Sequence, residues 1–446
     1  TNDANRLAIM RMNRLQNLNE VLMVNATTGE SKVILREQED TYVEQPGDNT
    51  WIFMEDGKQF LWQSERDGNN HVYLYDMDGK LIRQVTKGKF DVTEISAVNE
   101  DKGILYYMST EVSPLERHLY RTRLDGKKKP VKMTEASGWH HVSFSSSNTY
   151  YMDSYGSITT PPYAALYDQK GKEVKMLKDN APLKKLMAEY VLGTPEFFDF
   201  KTEEGSTLNG WMIKPADFDA SKKYPVLMHV YGGPGSQTVK NDFLGFNYFW
   251  HQMLVQQGYI VVSIDNRGTG GRGEEFKKCT YGQLGKKEAE DQIAGAKYLG
   301  GLDFVDKDRI GIWGWSFGGY MTSLCLAKGN GIFKTGIAVA PVTTWRFYDT
   351  IYTERYLKTP QLNPSGYDDN SPIQFAKSFQ GNYLLVHGTA DDNVHFQNSV
   401  DWSTALINAN KPFDQAYYPN RNHGIFGGPT RYHLYNKMTE FLKRNL

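Results

Sequence analysis

The feature that most constrains this chain is a Gly-x-Ser-x-Gly segment, Gly314-Trp315-Ser316-Phe317-Gly318. The residues before it, Arg309–Trp313, form a short apolar run typical of a buried strand, and Tyr320–Ala327 after it is typical of a helix. In a strand–turn–helix setting this segment predicts a nucleophile elbow, because the two glycines permit a turn too tight for side chains. We therefore predict that Ser316 is a catalytic nucleophile; the alternative is an ordinary glycine-rich turn of an α/β protein.

Bulk composition excludes several classes of function. The formal net charge of 446 residues is -1, which gives no electrostatic basis for binding nucleic acid or an anionic membrane. The only cysteines, Cys279 and Cys325, do not form a disulfide framework, and no Cys/His spacing indicates zinc. We expect no metal, no organic cofactor and no nucleic-acid partner.

The first 185 residues repeat a pattern of short strands and Asp-Gly-type turns. The clearest copy is Gln59–Thr86, and the same order returns in Leu7–Leu35, Ile104–Thr134 and Tyr150–Leu177. A period of roughly 45–50 residues is typical of β-propeller blades. We predict an all-β propeller domain over residues 1–185, incomplete in this chain; a closed four-bladed ring and an unrelated array of hairpins are the alternatives.

Residues 186–446 have a different pattern, in which buried strands alternate with helices. Pro225–Tyr231, Tyr259–Ile264 and Asn382–Val386 have the composition of buried strands, and Glu288–Leu299 is helix-like. Such alternation predicts a mostly parallel sheet with helices on both faces. With the elbow, this predicts an α/β-hydrolase catalytic domain.

A nucleophilic serine needs a histidine base and an acid that orients the histidine. In α/β hydrolases the acid follows the serine in the sequence and the histidine comes last. The strand Leu384–Val386 leads into Asp391-Asp392, and spacing alone does not separate these two carboxylates. His423 lies in the loop after Ala416–Tyr418 and is the predicted base.

Three other histidines compete with His423 for the role of the base. His387 comes too early, at a strand end, His395 is adjacent to the predicted acid, and His433 lies within a predicted helix. We interpret all three as structural or solvated residues.

The oxyanion of an acyl-transfer reaction needs preorganised hydrogen-bond donors. One predicted donor is the backbone N–H of Phe317, the residue after the nucleophile. The second is the phenolic O–H of Tyr231, which follows a strand and precedes Gly232-Gly233-Pro234. The alternative is that Tyr231 is only an aromatic residue at a strand end.

Three segments resemble the prolyl oligopeptidase family of serine peptidases: Gly314–Tyr320, Tyr352–Tyr356 and His387–Gln397. The resemblance is dense over residues of about 195–446, and in the first half it extends only to architecture. It implies Ser316 as nucleophile, Asp391 as acid and His423 as base. It also implies Tyr231 as the oxyanion donor beside the Phe317 amide.

The resemblance further implies a pocket for a proline ring and a residue that holds a substrate carbonyl, Asn393. Each pocket residue taken alone is also compatible with core packing. Phe317 stands where the family has a tyrosine, so the amide donor is kept and one pocket hydroxyl is lost. The implied pocket residues are Phe317, Val342, Trp345, Tyr348, Tyr352 and Val394.

Family members that release dipeptides hold the free amine of the substrate with a glutamate pair on the propeller, helped by an arginine. Residues 1–190 contain no matching segment, and we expect it to lie in blades outside this chain. Glu203-Glu204 and Glu274-Glu275 are adjacent glutamates in the second half, and we interpret both pairs as solvated surface charges.

The resemblance implies a serine exopeptidase that releases N-terminal dipeptides from peptides with proline or alanine at the second position. It also implies a homodimer, and we expect a bacterial protein of the periplasm or cell surface. An endo-acting prolyl oligopeptidase, a prolyl tripeptidyl peptidase and an acylaminoacyl peptidase are alternative activities within the family. Outside it, the sequence is also compatible with a non-catalytic binding protein on the same fold and with a dinucleotide-binding loop at Gly268–Gly273.

Overall fold

The structure is a computed structural model that describes residues 3–44, 51–243 and 245–446. The chain forms two compact units. The first comprises Thr1–Leu186 with two short segments from the second half, Lys240–Phe243 and Gly270–Lys278. The remaining residues form the second unit. The units thus differ from the proposed domains, 1–185 and 186–446, in these two segments and by one residue at the boundary.

In the described residues of the first unit, consecutive strands form four antiparallel sheets. The first sheet is β1 (Arg6–Met12), β2 (Leu18–Asn25) and β3 (Ser31–Gln38), and the second is β4 (Trp51–Phe53), β5 (Gln59–Ser64), β6 (His71–Asp76) and β7 (Leu81–Gln84). The third is β8 (Val92–Asn99), β9 (Ile104–Ser109), β10 (His118–Arg123) and β11 (Val131–Lys132). The fourth is β12 (Trp139–Phe144), β13 (Tyr150–Ser157), β14 (Thr160–Asp168) and β15 (Glu173–Lys178).

The repeat recognised in the sequence corresponds to these four sheets. The same turn recurs in two of the sheets. In the second sheet, the side chain of Asp76 accepts hydrogen bonds from the backbone N–H groups of Asp78 and Lys80. Asp168 does the same for Lys170 and Lys172 in the fourth sheet. Such side-chain turns favour tight hairpins.

A second contact recurs in the second and the third sheet. The hydroxyl of Thr86 accepts from the N–H of Val72 at 2.9 Å and lies 3.2 Å from His71 Nδ1. Thr134 makes the equivalent contacts with Leu119 and His118, at 3.1 and 2.9 Å. The common pair shows that these two sequence copies are structurally equivalent.

The second unit is built around an eight-stranded sheet of order β16-β17-β19-β18-β20-β21-β22-β23. Strands β17 and β16 pair antiparallel at one end, and the strands from β19 to β23 are parallel. The strands are β16 (Pro195–Lys201), β17 (Thr207–Ile213), β18 (Tyr224–Val230), β19 (Ile260–Asp265), β20 (Val305–Trp315), β21 (Thr335–Val339), β22 (Asn382–Gly388) and β23 (Asp414–Tyr418).

The described residues contain α-helices, and most of them follow parallel strands of the second unit. They are α1 (Ala181–Met187), α2 (Tyr248–Gln256), α3 (Glu274–Lys278), α4 (Lys286–Gly300), α5 (Phe317–Lys328), α6 (Thr350–Leu357), α7 (Pro364–Asp368), α8 (Gln397–Asn408) and α9 (Thr430–Asn445). No helix in the described part of the chain is both long and apolar enough to cross a membrane.

Parallel strands bring the residues after their carboxyl ends to one edge of the sheet. Tyr231 follows β18, Ser316 follows β20 and Asp391 lies three residues beyond β22. His423 lies in the loop between β23 and α9. The topology therefore gathers at one edge the four side chains that the sequence predicts for catalysis.

Candidate active site

The turn between β20 and α5 holds Ser316 in an unfavourable backbone conformation. Its φ of 61° and ψ of -119° lie outside the regions that non-glycine residues normally adopt. The turn is fixed on both sides, because the Ser316 N–H donates to the Val339 carbonyl at 2.8 Å and the Ser316 carbonyl accepts from the Tyr320 N–H at 3.0 Å. Such stored strain is typical of a nucleophile elbow.

The glycines around Ser316 are required by close backbone approach. A Cβ atom on Gly314 would overlap the carbonyl of Gly318, and one on Gly318 would overlap the carbonyl of Val230. A Cβ on Gly319 would lie 2.9 Å from the Val339 oxygen. The Gly-x-Ser-x-Gly-Gly pattern thus reflects packing of the elbow against β18 and β21.

Asp391 and His423 meet in this part of the structure. His423 Nδ1 lies 2.7 Å from Asp391 Oδ2, and the Asp391 side chain is fully buried whereas His423 is 22% exposed. Asp391 Oδ1 also accepts the N–H groups of Asn393 and Val394, at 3.0 and 2.9 Å. Asp392 is exposed, so of the two candidate carboxylates Asp391 is the one that contacts His423.

A second histidine, His387, which precedes Asp391 in the sequence, also contacts this carboxylate. His387 is buried, and its Nε2 lies 3.2 Å from Asp391 Oδ2 and 2.8 Å from the Val394 carbonyl. Burial would raise the pKa of Asp391, but hydrogen bonds from His387 and His423 and the charge of His423 hold it well below its usual range. Asp391 is thus kept as an anion able to orient His423.

The other two histidines do not join this pair. His395 is exposed, and His433 Nδ1 lies 3.0 Å from the Tyr418 hydroxyl. His387 has a structural position, with Nδ1 2.6 Å from Ser399 Oγ.

The loop after β18 presents Tyr231. Gly232 has a φ of 77° and its carbonyl accepts from Asn266 Nδ2 at 3.0 Å. A Cβ on Gly233 would lie 2.9 Å from the Tyr231 ring and 3.2 Å from that of Phe317. The absence of a side chain at Gly233 lets the two rings approach, with centroids 6.1 Å apart.

Four predicted pocket residues form a continuous aromatic cluster, which we call the aromatic box: Phe317, Trp345, Tyr348 and Tyr352. The Trp345 centroid lies 5.5 Å from Phe317 and 5.9 Å from both tyrosines, and its ring stacks on Tyr352 at 25°. The predicted valines, Val342 and Val394, are buried. Tyr348 and Tyr352 are only partly buried, so they form the accessible rim.

Asn393 is oriented by the box. The Tyr348 hydroxyl donates to Asn393 Oδ1 at 2.6 Å. Because the amide oxygen is engaged, the exposed Asn393 keeps its Nδ2 group as a donor, which suits the carbonyl-binding role predicted for it.

Sequence reasoning missed Tyr320, which extends the aromatic box. Its ring lies 5.4 Å from Phe317 and 5.2 Å from Trp345, and its hydroxyl lies within hydrogen-bond distance of the Leu284 and Asn370 carbonyls. The available signal was helical spacing, since residues three apart on α5 share a face.

Backbone groups at both ends of the glycine-rich loop after β19 form hydrogen bonds within the protein. The Gly273 N–H donates to Asp91 at 2.9 Å, and the Glu274 N–H donates to the Gly68 carbonyl at 2.8 Å. The Gly268 carbonyl accepts from Gly235. Such engaged groups do not resemble a phosphate-binding loop, whose free N–H groups face the ligand.

The interpretation of the adjacent glutamates as solvated charges is wrong for Glu274. This side chain is 21% exposed and accepts from Lys278 at 2.7 Å. Glu204 accepts from Arg267, which is itself almost fully buried. Glu203 is 91% exposed, as expected of a surface charge.

Comparison with known proteins agrees with this geometry. Residues 246–446 match the family model for the prolyl oligopeptidase family, and residues 1–162 match that of the dipeptidyl peptidase IV N-terminal region. The residues matched in the second half thus form a domain of the prolyl oligopeptidase family. The predicted fold class, propeller blades followed by an α/β-hydrolase domain, is confirmed.

Curated relatives match most of this chain. Dipeptidyl peptidase 4 of Felis catus is 39% identical over 404 residues, which are 88% of this chain and 52% of the relative. Dipeptidyl peptidase 4 of Trichophyton equinum is 36% identical over 430 residues, 94% of this chain and 55% of the relative. The chain thus spans about half the length of these relatives.

A solved structure is similar over the whole chain. The crystal structure of Porphyromonas gingivalis dipeptidyl peptidase 4 has a TM-score of 0.96 and 45% sequence identity, covering 100% of this chain and 63% of that one.

Proposed function

We propose that this chain carries the catalytic centre of a serine exopeptidase that releases N-terminal dipeptides from peptides with proline or alanine at the second position. The observation that carries the proposal is the aromatic box, which begins at Phe317, directly after the strained Ser316. The names of the relatives support the dipeptide-releasing activity.

In the proposed mechanism, Ser316 Oγ attacks the carbonyl carbon of the second substrate residue. His423 Nε2 accepts the serine proton, while Nδ1–H donates to Asp391, which fixes the imidazole tautomer. The Tyr231 hydroxyl and the Phe317 N–H donate to the oxyanion. Partial burial raises the pKa of Tyr231, so its hydroxyl remains protonated at neutral pH.

Two further steps complete the reaction: the tetrahedral intermediate collapses to an acyl-enzyme, and water hydrolyses the acyl-enzyme. His423 returns the proton to the leaving amine, and the C–N bond breaks to give an acyl-enzyme at Ser316. Water attacks this ester, His423 takes the water proton, and the dipeptide leaves as its carboxylic acid. The serine oxygen recovers its proton from His423, so the cycle closes without a redox step.

The aromatic box suits a proline ring for a simple physical reason. A pyrrolidine is flat and apolar, and it lacks an N–H within a peptide. Aromatic side chains can therefore bury it without leaving a buried N–H group unpaired. Val342 and Val394 complete the proposed pocket. Asn393 Nδ2 is the proposed donor to the substrate carbonyl on the amino-terminal side.

Peptides are the proposed substrates, and a homodimer remains the proposed assembly on family grounds. The chemistry assigned to Ser316, Asp391 and His423 requires neither a metal nor an organic cofactor.

A series of Gly-Xaa-p-nitroanilides tests the pocket. We expect kcat/KM to be highest with proline, lower with alanine, and lower by a further factor of about 10² or more with leucine or lysine, because neither side chain fits the box. The same series is measured with the variant Trp345→Ala, in which the ratio of kcat/KM for proline to that for alanine should be smaller. Equal rates across the series would contradict the proposed specificity.

A further inference from the structure

The indole of Trp315 contacts the backbone of the proposed base. Trp315 is the last residue of β20 and immediately precedes Ser316. Its Nε1–H donates to the His423 carbonyl oxygen at 3.0 Å, across 108 residues of sequence. A single hydrogen bond therefore links the residue before the nucleophile to the residue that carries the imidazole.

The ring of Trp315 is held by a cation. The Arg431 guanidinium, in the first turn of α9, lies 4.6 Å from the Trp315 ring centroid and 4.1 Å from that of Phe426. Because a guanidinium is planar, it stacks between two aromatic faces and fixes both. We call these three side chains the Trp–Arg–Phe stack.

The same stack restrains the loop that carries His423. A Cβ on Gly424 would overlap the Phe426 ring, so Gly424 packs directly against it. Ile425, between them, is buried and has a φ of 50°. The loop is therefore a tight turn closed by the stack, and His423 lies at its start.

Asp391 alone does not fix the position of the imidazole. Its hydrogen bond to Nδ1 sets the tautomer and one axis of the ring, but the reach of Nε2 also depends on the backbone position. General-base catalysis is sensitive to displacements of about 1 Å. A bond to the His423 carbonyl provides the missing restraint.

We infer that Trp315, supported by Arg431 and Phe426, is a positioning residue that fixes the His423 backbone relative to Ser316. This inference rests on the proposed function, in which Ser316 and His423 are nucleophile and base. Trp315 transfers no proton; it acts through His423.

The test removes only the indole N–H. Trp315 is replaced by 3-benzothienylalanine, which has sulfur in place of N–H and leaves the ring available to Arg431. The reaction measured is phosphonylation by diisopropyl fluorophosphate, in which a bond forms between Ser316 Oγ and phosphorus, fluoride leaves and His423 takes the proton. This reagent needs the base, but it needs neither the aromatic box nor the contacts proposed for a peptide chain.

We expect the rate of phosphonylation to fall about tenfold, the scale of one well-placed hydrogen bond. The dissociation constant of an aminoacyl-pyrrolidide, which should occupy the box, should be unchanged. A merely structural role would alter both quantities. Arg431→Met should also lower the rate of phosphonylation, but by less than the Trp315 replacement. Arg431→Lys should not restore the rate, because lysine keeps the charge without the planar stack.

The matched control is the same replacement at Trp313, two residues earlier in β20. Its indole N–H has no hydrogen-bond partner among the described residues, so the rate should not change. An unchanged rate in the Trp315 analogue would overturn the inference. If the full-length wild-type protein were not labelled at Ser316, the proposed function would fail instead, and the two failures are therefore distinguishable.

Discussion

Tyr231 carries the one side-chain hydroxyl that the proposed mechanism directs at the oxyanion. In Tyr231→Phe the ring remains against Phe317 but the donor is lost, so kcat should fall on the order of 10²–10³-fold with little change in KM. The measurement is steady-state kinetics on a Gly-Pro amide.

Tyr348→Phe is the matched control, because it also removes one phenolic hydroxyl from the site. That hydroxyl donates to Asn393, so its loss should raise KM several-fold and leave kcat nearly unchanged. If Tyr231→Phe behaved in the same way as Tyr348→Phe, the oxyanion assignment would be wrong.

At the residue scale, the sequence predicted the side chains with chemical signatures but not their partners. Order along the chain selected Ser316 and His423 as candidates, yet spacing left Asp391 and Asp392 open, because adjacent carboxylates differ only in where they point. The contact of His387 with Asp391 and that of Trp315 with His423 depend on tertiary packing. A single sequence carries no signal for them.

At the element scale, the elbow connecting β20 to α5 depends on the absence of side chains. In Gly318→Ala the new methyl group would overlap the Val230 carbonyl of β18, which is backbone and cannot move aside. We expect a loss of about 2–4 kcal/mol in the free energy of unfolding, together with loss of activity. Urea denaturation followed by tryptophan fluorescence measures the first and peptide-amide hydrolysis the second.

Gly300→Ala is the control for the elbow variant. Gly300 is the last residue of α4, and a Cβ there would come no closer than 3.4 Å to any neighbour outside its own helix. This variant should be neutral or slightly stabilising, because alanine is a better helix former. A neutral Gly318→Ala would show that the elbow tolerates a side chain.

Elements with a clear period were predicted, and those without one were not. The strands of each blade with Asp-Gly turns matched the sequence repeat. By contrast β4 has only three residues, and β8 mixes polar residues into its alternation, so neither gave a signal. Helices α6 and α8 were missed because the sequence around them was interpreted as site motifs instead.

At the scale of the whole molecule, two histidines packed among aromatic rings predict sensitivity to acid. His251 lies among Trp211, Trp250 and Trp313, and neither of its ring nitrogens has a hydrogen-bond partner among the described residues. His229 stacks on Trp313. Burial lowers the pKa of His251 well below its usual range and that of His229 to about 4.

The sign of the effect follows from linkage. The unfolded chain binds protons at these histidines near pH 6.5, whereas the folded chain does so only at lower pH. The free energy of unfolding should therefore be highest above pH 6.5 and fall as the pH drops towards 4. Urea denaturation between pH 8 and pH 4 should show a smaller fall in His251→Leu; identical pH profiles would contradict this explanation.

We propose that Ser316 releases dipeptides from a free amino terminus, and a comparison of two substrates tests this proposal. The full-length protein is given a chromogenic Gly-Pro amide and the same amide with its amine blocked, with Ser316→Ala as the control. We predict rapid release from the free-amine substrate only, reduced on the order of 10⁴–10⁶-fold in Ser316→Ala. Cleavage of the blocked substrate would instead indicate an endo-acting or acylaminoacyl peptidase. If neither substrate were cleaved in a serine-dependent way, the result would contradict the peptidase assignment and favour a binding protein on this fold.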